Sequence, residues 1–204
     1  MLCNLIRWAC WFQYFDNHVG VSGRHAHLSL EALEILFGKN YKLNWFKDLT
    51  QKGQFAAKEK IDVISSDNQI LKNVRILGPL RKFTQIEISN SDNIRNKFGA
   101  PVRSSGDIQN SASATLIGPC GKLFIKEGVI ISDRHIHLSD EEAKNLCLAD
   151  KQVVSVRVGG IKAGILQNVL CRVNKDFSLE LHIDTDDAAA FHLKNGDLVE
   201  LIKT

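Results

Sequence analysis

The 204-residue chain is predicted to be mainly β, built as two related halves, each a small β-barrel or sandwich carrying short helices. Three observations lead there. A hexad, Arg24-His25-Ala26-His27-Leu28-Ser29, returns 110 positions later as Arg134-His135-Ile136-His137-Leu138-Ser139. A second segment, Asn73 to Asp92, aligns with Asn168 to Asp187 at an offset of 95. Short apolar or alternating runs separated by glycine turns fill the rest, with none of the long crossover helices that a parallel α/β sheet needs.

Residues 1–16 differ from the rest of the chain: they hold two of the three tryptophans, with Arg7 and Asp16 as their only charges. They are too short to cross a bilayer and lack a signal-peptide cleavage pattern. We read an apolar helix within an extension, 1–18, that docks on a partner or on the body of the protein. The first half then runs 19–132 and the second 133–204.

Val19 to Ser22 reads as a strand leading into the first hexad. Ser29 is placed to cap a helix over Leu30 to Phe37, stopped by Gly38. Tyr41 to Gln54 looks irregular. Ile61 to Ser65 and Ile70 to Leu77 read as a hairpin across the polar turn 66–69. Gly78-Pro79-Leu80-Arg81 then breaks the chain before an alternating strand, Gln85-Ile86-Glu87-Ile88. Ser91 to Lys97 reads as a helical turn closed at Gly99-Ala100-Pro101. Val102 to Asn110, with Arg103, Ser104, Ser105 and Asp107, is a polar loop of the kind that lines a site. Ala114 to Ile117 and Leu123 to Ile125 flank a turn at 118–121.

Val129 to Ser132 leads into the second hexad as Val19 to Ser22 leads into the first. Ser139 and Glu142 form a capping box ahead of a helix over Ala143 to Leu148. Strands are expected at Val153 to Val158, Gly164 to Val173 and Leu179 to Ile183. Asp184-Thr185-Asp186 is placed to cap a helix reaching His192, and Leu198 to Ile202 is the last strand.

Composition narrows the function. With 44% hydrophobic and 24% charged residues the chain is globular rather than disordered. A formal charge of +3 without a basic, aromatic-laced patch argues against nucleic acid as the partner. The five cysteines are odd in number and scattered, so neither a disulfide framework nor a cysteine zinc site is expected. Gly-x-Gly-x-x-Gly and Walker loops are both missing, which leaves metal and arginine as the means of holding phosphate.

The chemistry lies in the repeat. Residues i and i+2 of a strand point to one face, so His25 and His27 converge, as do His135 and His137. The 95-residue alignment sets Glu87 opposite His182 and gives each half a third donor from a separate strand. A single His-x-His is more often a pair of surface histidines, and a single strand glutamate is usually solvated. Two copies of the whole pattern favour metal.

The hexads, together with Gly53-Gln54-Phe55-Ala56-Ala57, Val74 to Arg81, Gln85 to Ser89, Ala100-Pro101-Val102-Arg103, Gly106-Asp107-Ile108 and Leu181 to Asp186, resemble the PduL-type phosphate acyltransferases. These are the phosphotransacylases of bacterial catabolic microcompartments, such as those of propanediol degradation, and of some cytoplasmic pathways. The resemblance runs from Val19 to Ile202. It implies two β-barrels with capping helices, the second completed by the N-terminal strand, and two zinc ions per chain. It also implies reversible conversion of a short-chain acyl-CoA (propanoyl-CoA or acetyl-CoA) and phosphate to acyl phosphate and coenzyme A.

Carried over by position, the resemblance gives His25 and His27 to one zinc, Glu87, His135, His137 and His182 to the other, and makes Arg81 the active-site arginine. The His25/His27 zinc is then expected to keep open positions for phosphate or the CoA sulfur, and the four-ligand zinc to be more closed. The expected partners are acyl-CoA, phosphate, further copies of the chain in a homo-oligomer, and microcompartment shell or core proteins met through residues 1–16. The expected location is the bacterial cytoplasm or a microcompartment within it. Gly23 stands where the family usually has Asn, and residues 1–16 are more apolar than the family's packaging peptides. No Ser-His or Cys-His nucleophile stands out, which favours direct attack by phosphate on the thioester. The rival readings are a di-metal hydrolase of a thioester or phosphate ester, and a protein whose zinc is only structural.

Overall fold

The computed structural model describes residues 17–202. In chain order its first elements are β1 (Asn17–Ser22), β2 (His25–His27), α1 (Leu30–Phe37), β3 (Trp45–Asp48), β4 (Phe55–Ile64), β5 (Ile70–Gly78), β6 (Gln85–Ile88), α2 (Asn90–Asn96), β7 (Val102–Arg103) and β8 (Ala112–Ile117). They continue with β9 (Lys122–Ser132), β10 (His135–Leu138), α3 (Asp140–Asn145), β11 (Val153–Val158), β12 (Gly164–Val173), β13 (Glu180–Asp184), α4 (Thr185–Phe191) and β14 (Leu198–Ile202). The apolar stretch 1–16 lies outside the described residues.

The strands close into two six-stranded barrels that share one pairing scheme. In one, the order is β1-β13-β10-β12-β11-β14, with β14 returning to β1. In the other, β4-β5-β2-β6-β9 is closed by β8, which pairs with both β9 and β4. Orientation repeats as well as order. Each His-x-His strand is parallel to one neighbour (β10 to β12, β2 to β5) and antiparallel to the other (β10 to β13, β2 to β6).

The barrels do not map onto consecutive blocks of sequence. The described residues up to Ser22, Thr50–Lys52, and those from Asp133 onward form one compact unit, and Gly23–Leu49 with Gly53–Ser132 form the other. β1 leads into β2 along the chain yet lies in the barrel of β10, parallel to β13, while β9 leads into β10 yet lies in the barrel of β2, parallel to β6.

Each barrel buries the apolar residues of its alternating strands. Ala26, Val74, Ile76, Ile86 and Val129 belong to one core, and Ile136, Val154, Val169, Leu181 and Val199 to the other. Ala26 and Ile136, the middle residues of the two His-x-His strands, are both 0% exposed. Because they face the cores, period-two alternation sends the flanking histidines to the opposite face.

Local structure departs from the sequence reading where burial follows no alternation. Trp45 to Asp48, within the stretch read as irregular, forms an edge strand with all four residues exposed, so no apolar periodicity marks it. β4 begins at Phe55, not Ile61. Its Glu59 breaks the apolar run but is buried, because Tyr41 and the Asn44 amide both donate hydrogen bonds to its carboxylate. The helix expected over Ala143 to Leu148 instead runs Asp140–Asn145: the capping box starts it directly after Ser139, and the chain reaches φ 51° at Cys147. Among the described residues no helix is long and apolar enough to cross a membrane.

Candidate functional site

Strand register builds two clusters of donor groups. Antiparallel pairing of β2 with β6 sets His25 opposite Glu87, and pairing of β10 with β13 sets His135 opposite His182. His25, His27 and Glu87 each offer a donor atom within 4.8 Å of the others, and so do His135, His137 and His182. This is the grouping that the internal repeat predicts. The resemblance implies another partition, with Glu87 among four ligands of one zinc; in the structure Glu87 lies across from His25, and each cluster offers three protein donors.

Both clusters are preorganised for a cation. His25 Nδ1 lies 2.9 Å from the Gly23 carbonyl and His135 Nδ1 lies 2.9 Å from the Asp133 carbonyl. A carbonyl only accepts, so each Nδ1 carries a proton, which leaves Nε2 as the ring atom that could bind a metal once it has lost any proton of its own. The acceptor in the first hexad is the backbone of Gly23, so the absence of a side chain there leaves the ring's anchor intact. Behind the rings the tethers also repeat: Arg24 pairs with Asp92 at 3.0 Å and Arg134 with Asp187 at 2.9 Å, tying each hexad to the helix after its third-donor strand.

The charges of the first cluster are strongly coupled. Burial alone would push the Glu87 carboxyl up, but the charges of His25 and His27 and hydrogen bonds from His25 and Ser105 hold it well below the usual carboxylate range. His25, whose Nε2 is 3.6 Å from Glu87, is shifted the other way: burial would lower it, and the Glu87 charge raises it above an ordinary histidine. His27 is held well below its usual value by burial, by His25 and by Arg81. The cluster is therefore a buried anion that draws one positive charge into a space bounded by imidazole lone pairs. A divalent cation fits this donor chemistry, displacing the proton from His25.

Arg81 reaches the same cluster through a hydroxyl. Its Nη1 lies 3.3 Å from Ser105 Oγ, and that hydroxyl donates to Glu87 Oε1 at 2.6 Å. Gln85 completes the support, donating from Nε2 to Glu87 at 2.6 Å and accepting from the Gly106 amide at 2.9 Å. Arg103, the other arginine of the polar loop, is turned to its own surroundings, bonding the Val102 carbonyl and lying 3.9 Å from Asp107.

In the second cluster Glu180 holds the place of Gln85. It lies opposite His137 in the register, and its Oε2 is 2.7 Å from His182 Nε2 and 3.0 Å from the amide of Gln51. Burial pushes the Glu180 carboxyl up, but the hydrogen bond and charge of His182 and the amide of Gln51 bring it below its ordinary value. Phe177 stacks on His137 at 4.1 Å between ring centroids. The carboxylate fits because position 20 has no side chain: a methyl there would stand 2.7 Å from Glu180 Oε1. Gly20→Ala is thus expected to destabilise the fold by about 1–3 kcal/mol, the usual range for overpacking, measured by denaturant unfolding.

All six donor residues marked in the sequence thus fall into two clusters, and Arg81 joins the first. Sequence reasoning assigned no role to Gln85, Glu180 or Gln51 and named Ser105 only as part of a polar loop. The i, i+2 rule used for the histidines also puts Gln85 beside Glu87 and Glu180 beside His182, so that signal was present. Gln51 arrives from a distant segment that no local pattern marks.

Known proteins resemble this chain over most of its length. The family model described as phosphate propanoyltransferase matches residues 18–194. A phosphate propanoyltransferase of Thermotoga maritima is 47% identical over 91% of this chain and 88% of its own length. The enzymes of the same name from Priestia megaterium and Lachnoclostridium phytofermentans are 44% and 42% identical, over 88% and 90% of this chain and 82% and 86% of their own.

Proposed function

The chain belongs to the phosphate propanoyltransferase family and is an acyltransferase, and on that premise we propose that it exchanges a short acyl group between coenzyme A and phosphate with a zinc ion at each donor cluster. The observation that carries this reading is the Arg81–Ser105–Glu87 chain of contacts, which sets an anion-binding fork beside a metal-binding trio. The zinc ligands on this reading are His25, His27 and Glu87 in one centre and His135, His137 and His182 in the other.

The work is divided among the residues. Arg81 stays charged at any working pH and holds phosphate through two parallel N–H donors, orienting one oxygen toward the thioester carbon. Ser105 fixes the Glu87 carboxylate and keeps the guanidinium from collapsing onto it. Gly23 and Asp133 lock the tautomers of His25 and His135 through their carbonyls. When bound, zinc supplies a Lewis acid suited to both a thioester oxygen and a departing thiolate. On this reading phosphate attacks the thioester carbon directly and the CoA thiolate departs. The protein acts as a homo-oligomer, with residues 1–16 serving contact with microcompartment proteins.

Two measurements test this. Protein purified without chelator is expected to contain close to two zinc ions per chain, and only trace metal would defeat the reading. Release of CoA from propanoyl-CoA or acetyl-CoA is expected to require phosphate. Release without phosphate would favour the hydrolase, and zinc without any turnover would favour a structural metal.

A further inference from the structure

The outer face of β14, β11 and β12 is apolar where a barrel surface is usually charged. Val199 and Leu201 of β14 belong to the core, so Leu198, Glu200 and Ile202 point outward. Ile165 of β12, Arg157 of β11 and Glu200 stand in one row across the three strands, and Arg157 and Glu200 neutralise each other at 3.2 Å. Leu198 is 53% exposed, Ile165 50%, and Ile161, at the turn from β11 to β12, 95%. A single exposed apolar residue is ordinary, but Ile161 and Leu198 border an open cleft of about 290 Å³, walled also by Val158, Phe191 and Leu193. Few polar groups converge there, so the cleft suits apolar side chains better than a cofactor.

We propose that residues 1–16 of the same chain dock on this face, with their apolar side chains filling the cleft.

The segment has the chemistry the face lacks a partner for. Leu2, Leu5, Trp8, Trp11, Phe12 and Phe15 lie in it, and Arg7 and Asp16 are its only charges. It also joins the barrel at the right place. Asn17 pairs with Val199 and His18 with Leu198, so the segment begins one residue along the ladder from the wall of the cleft. Because β1 is antiparallel to β14, its start faces the Ile202 end, and the segment has to fold back over the face. The run from Ile202 to Leu198 is about 13 Å at about 3.3 Å per residue. Sixteen residues reach about 24 Å even as a continuous helix and about 50 Å when extended. Tethering decides between this chain and a second copy, since a short linker sets a local concentration on the order of millimolar, far above that of a second copy in dilute solution. Contact of residues 1–16 with microcompartment proteins, as proposed above, then requires the partner to displace the segment from its own barrel.

The test uses the full chain carrying Ile161→Cys and a short bis-maleimide crosslinker. Cys3 and Cys10 are natural probes within the segment, and Cys147, exposed in the same compact unit as Ile161, is the internal comparison. Crosslinks joining Cys3 or Cys10 to position 161 within one chain are expected to form about tenfold faster than those joining them to Cys147, since docking raises the local concentration of the first pair only. Adding Leu198→Asp or Ile165→Asp puts a charge on the face and is expected to bring the two rates together. Both side chains are about half-exposed, so each change is made at the surface, and should one variant fail to fold the other decides. Equal rates in the Ile161→Cys protein, or a preference that the aspartate variants leave unchanged, overturns the proposal. Crosslinks that join two chains, read as a dimer band on a denaturing gel, assign the face to a second copy's segment and overturn it equally. Either failure leaves the acyltransferase reading as it stands, because no donor residue and no contact of Arg81 is altered.

Discussion

Arg81→Ala is expected to lower turnover at saturating phosphate by on the order of 10²-fold or more, while both zinc ions and the fold are retained. The expectation rests on where its contacts lie. The backbone of Arg81 is pinned, its amide donating to the Leu28 carbonyl at 2.9 Å, and Leu28 directly succeeds His27 on the chain. The guanidinium then reaches Ser105, whose hydroxyl holds Glu87. Removing it deletes no zinc donor, and the side chain is only half-buried, so a large cavity is not created. What is lost is a planar pair of donors for phosphate. Arg81→Lys keeps a positive charge without the fork and is expected to recover little of the rate. Wild-type turnover in Arg81→Ala, with metals in place, would move the phosphate to another cation, with Arg103 the first to try. The structure already weighs against Arg103, which is engaged with Val102 and Asp107.

The repeat made the barrels and the six donors legible for one reason: both depend on alternation along strands, which the order of residues records directly. His25, His27, His135 and His137 could be assigned to a shared face from spacing alone, and the buried Ala26 and Ile136 are the other half of that alternation. Cross-strand register is not recorded locally. The alignment of Glu87 with His182 nevertheless recovered it, since equivalent strands in equivalent barrels meet in equivalent register. Single-copy features escaped. Gln51 acts through one side chain across 129 residues of separation, and nothing in its neighbourhood distinguishes it from a surface glutamine. Glu59 carries no local mark of its burial, which comes from Tyr41 and Asn44 donating to its carboxylate. The register of β2 against β6 sets Glu87 across from His25, a pairing that the resemblance did not indicate.

His182→Gln is expected to cost the second centre its zinc and the enzyme most of its turnover, with the fold intact. Substituting alanine there would confound two effects, because it would leave the buried Glu180 carboxylate without its 2.7 Å partner as well as removing a donor. Glutamine keeps an N–H that can face Glu180 but offers zinc only a weakly binding amide oxygen. A three-donor set reduced to His135 and His137 has too few protein ligands to hold zinc against a competing chelator. The other trio shares no donor with it, so zinc content is expected to fall from about two per chain to about one, since a ligating side chain lost from one set leaves the other complete. Metal analysis beside a rate measurement reads both halves of the expectation. A His182→Gln protein with full zinc and full turnover would remove His182 from the metal centre. One that lost a zinc but kept its rate would make the second centre structural and leave catalysis to Arg81 and the trio of His25, His27 and Glu87.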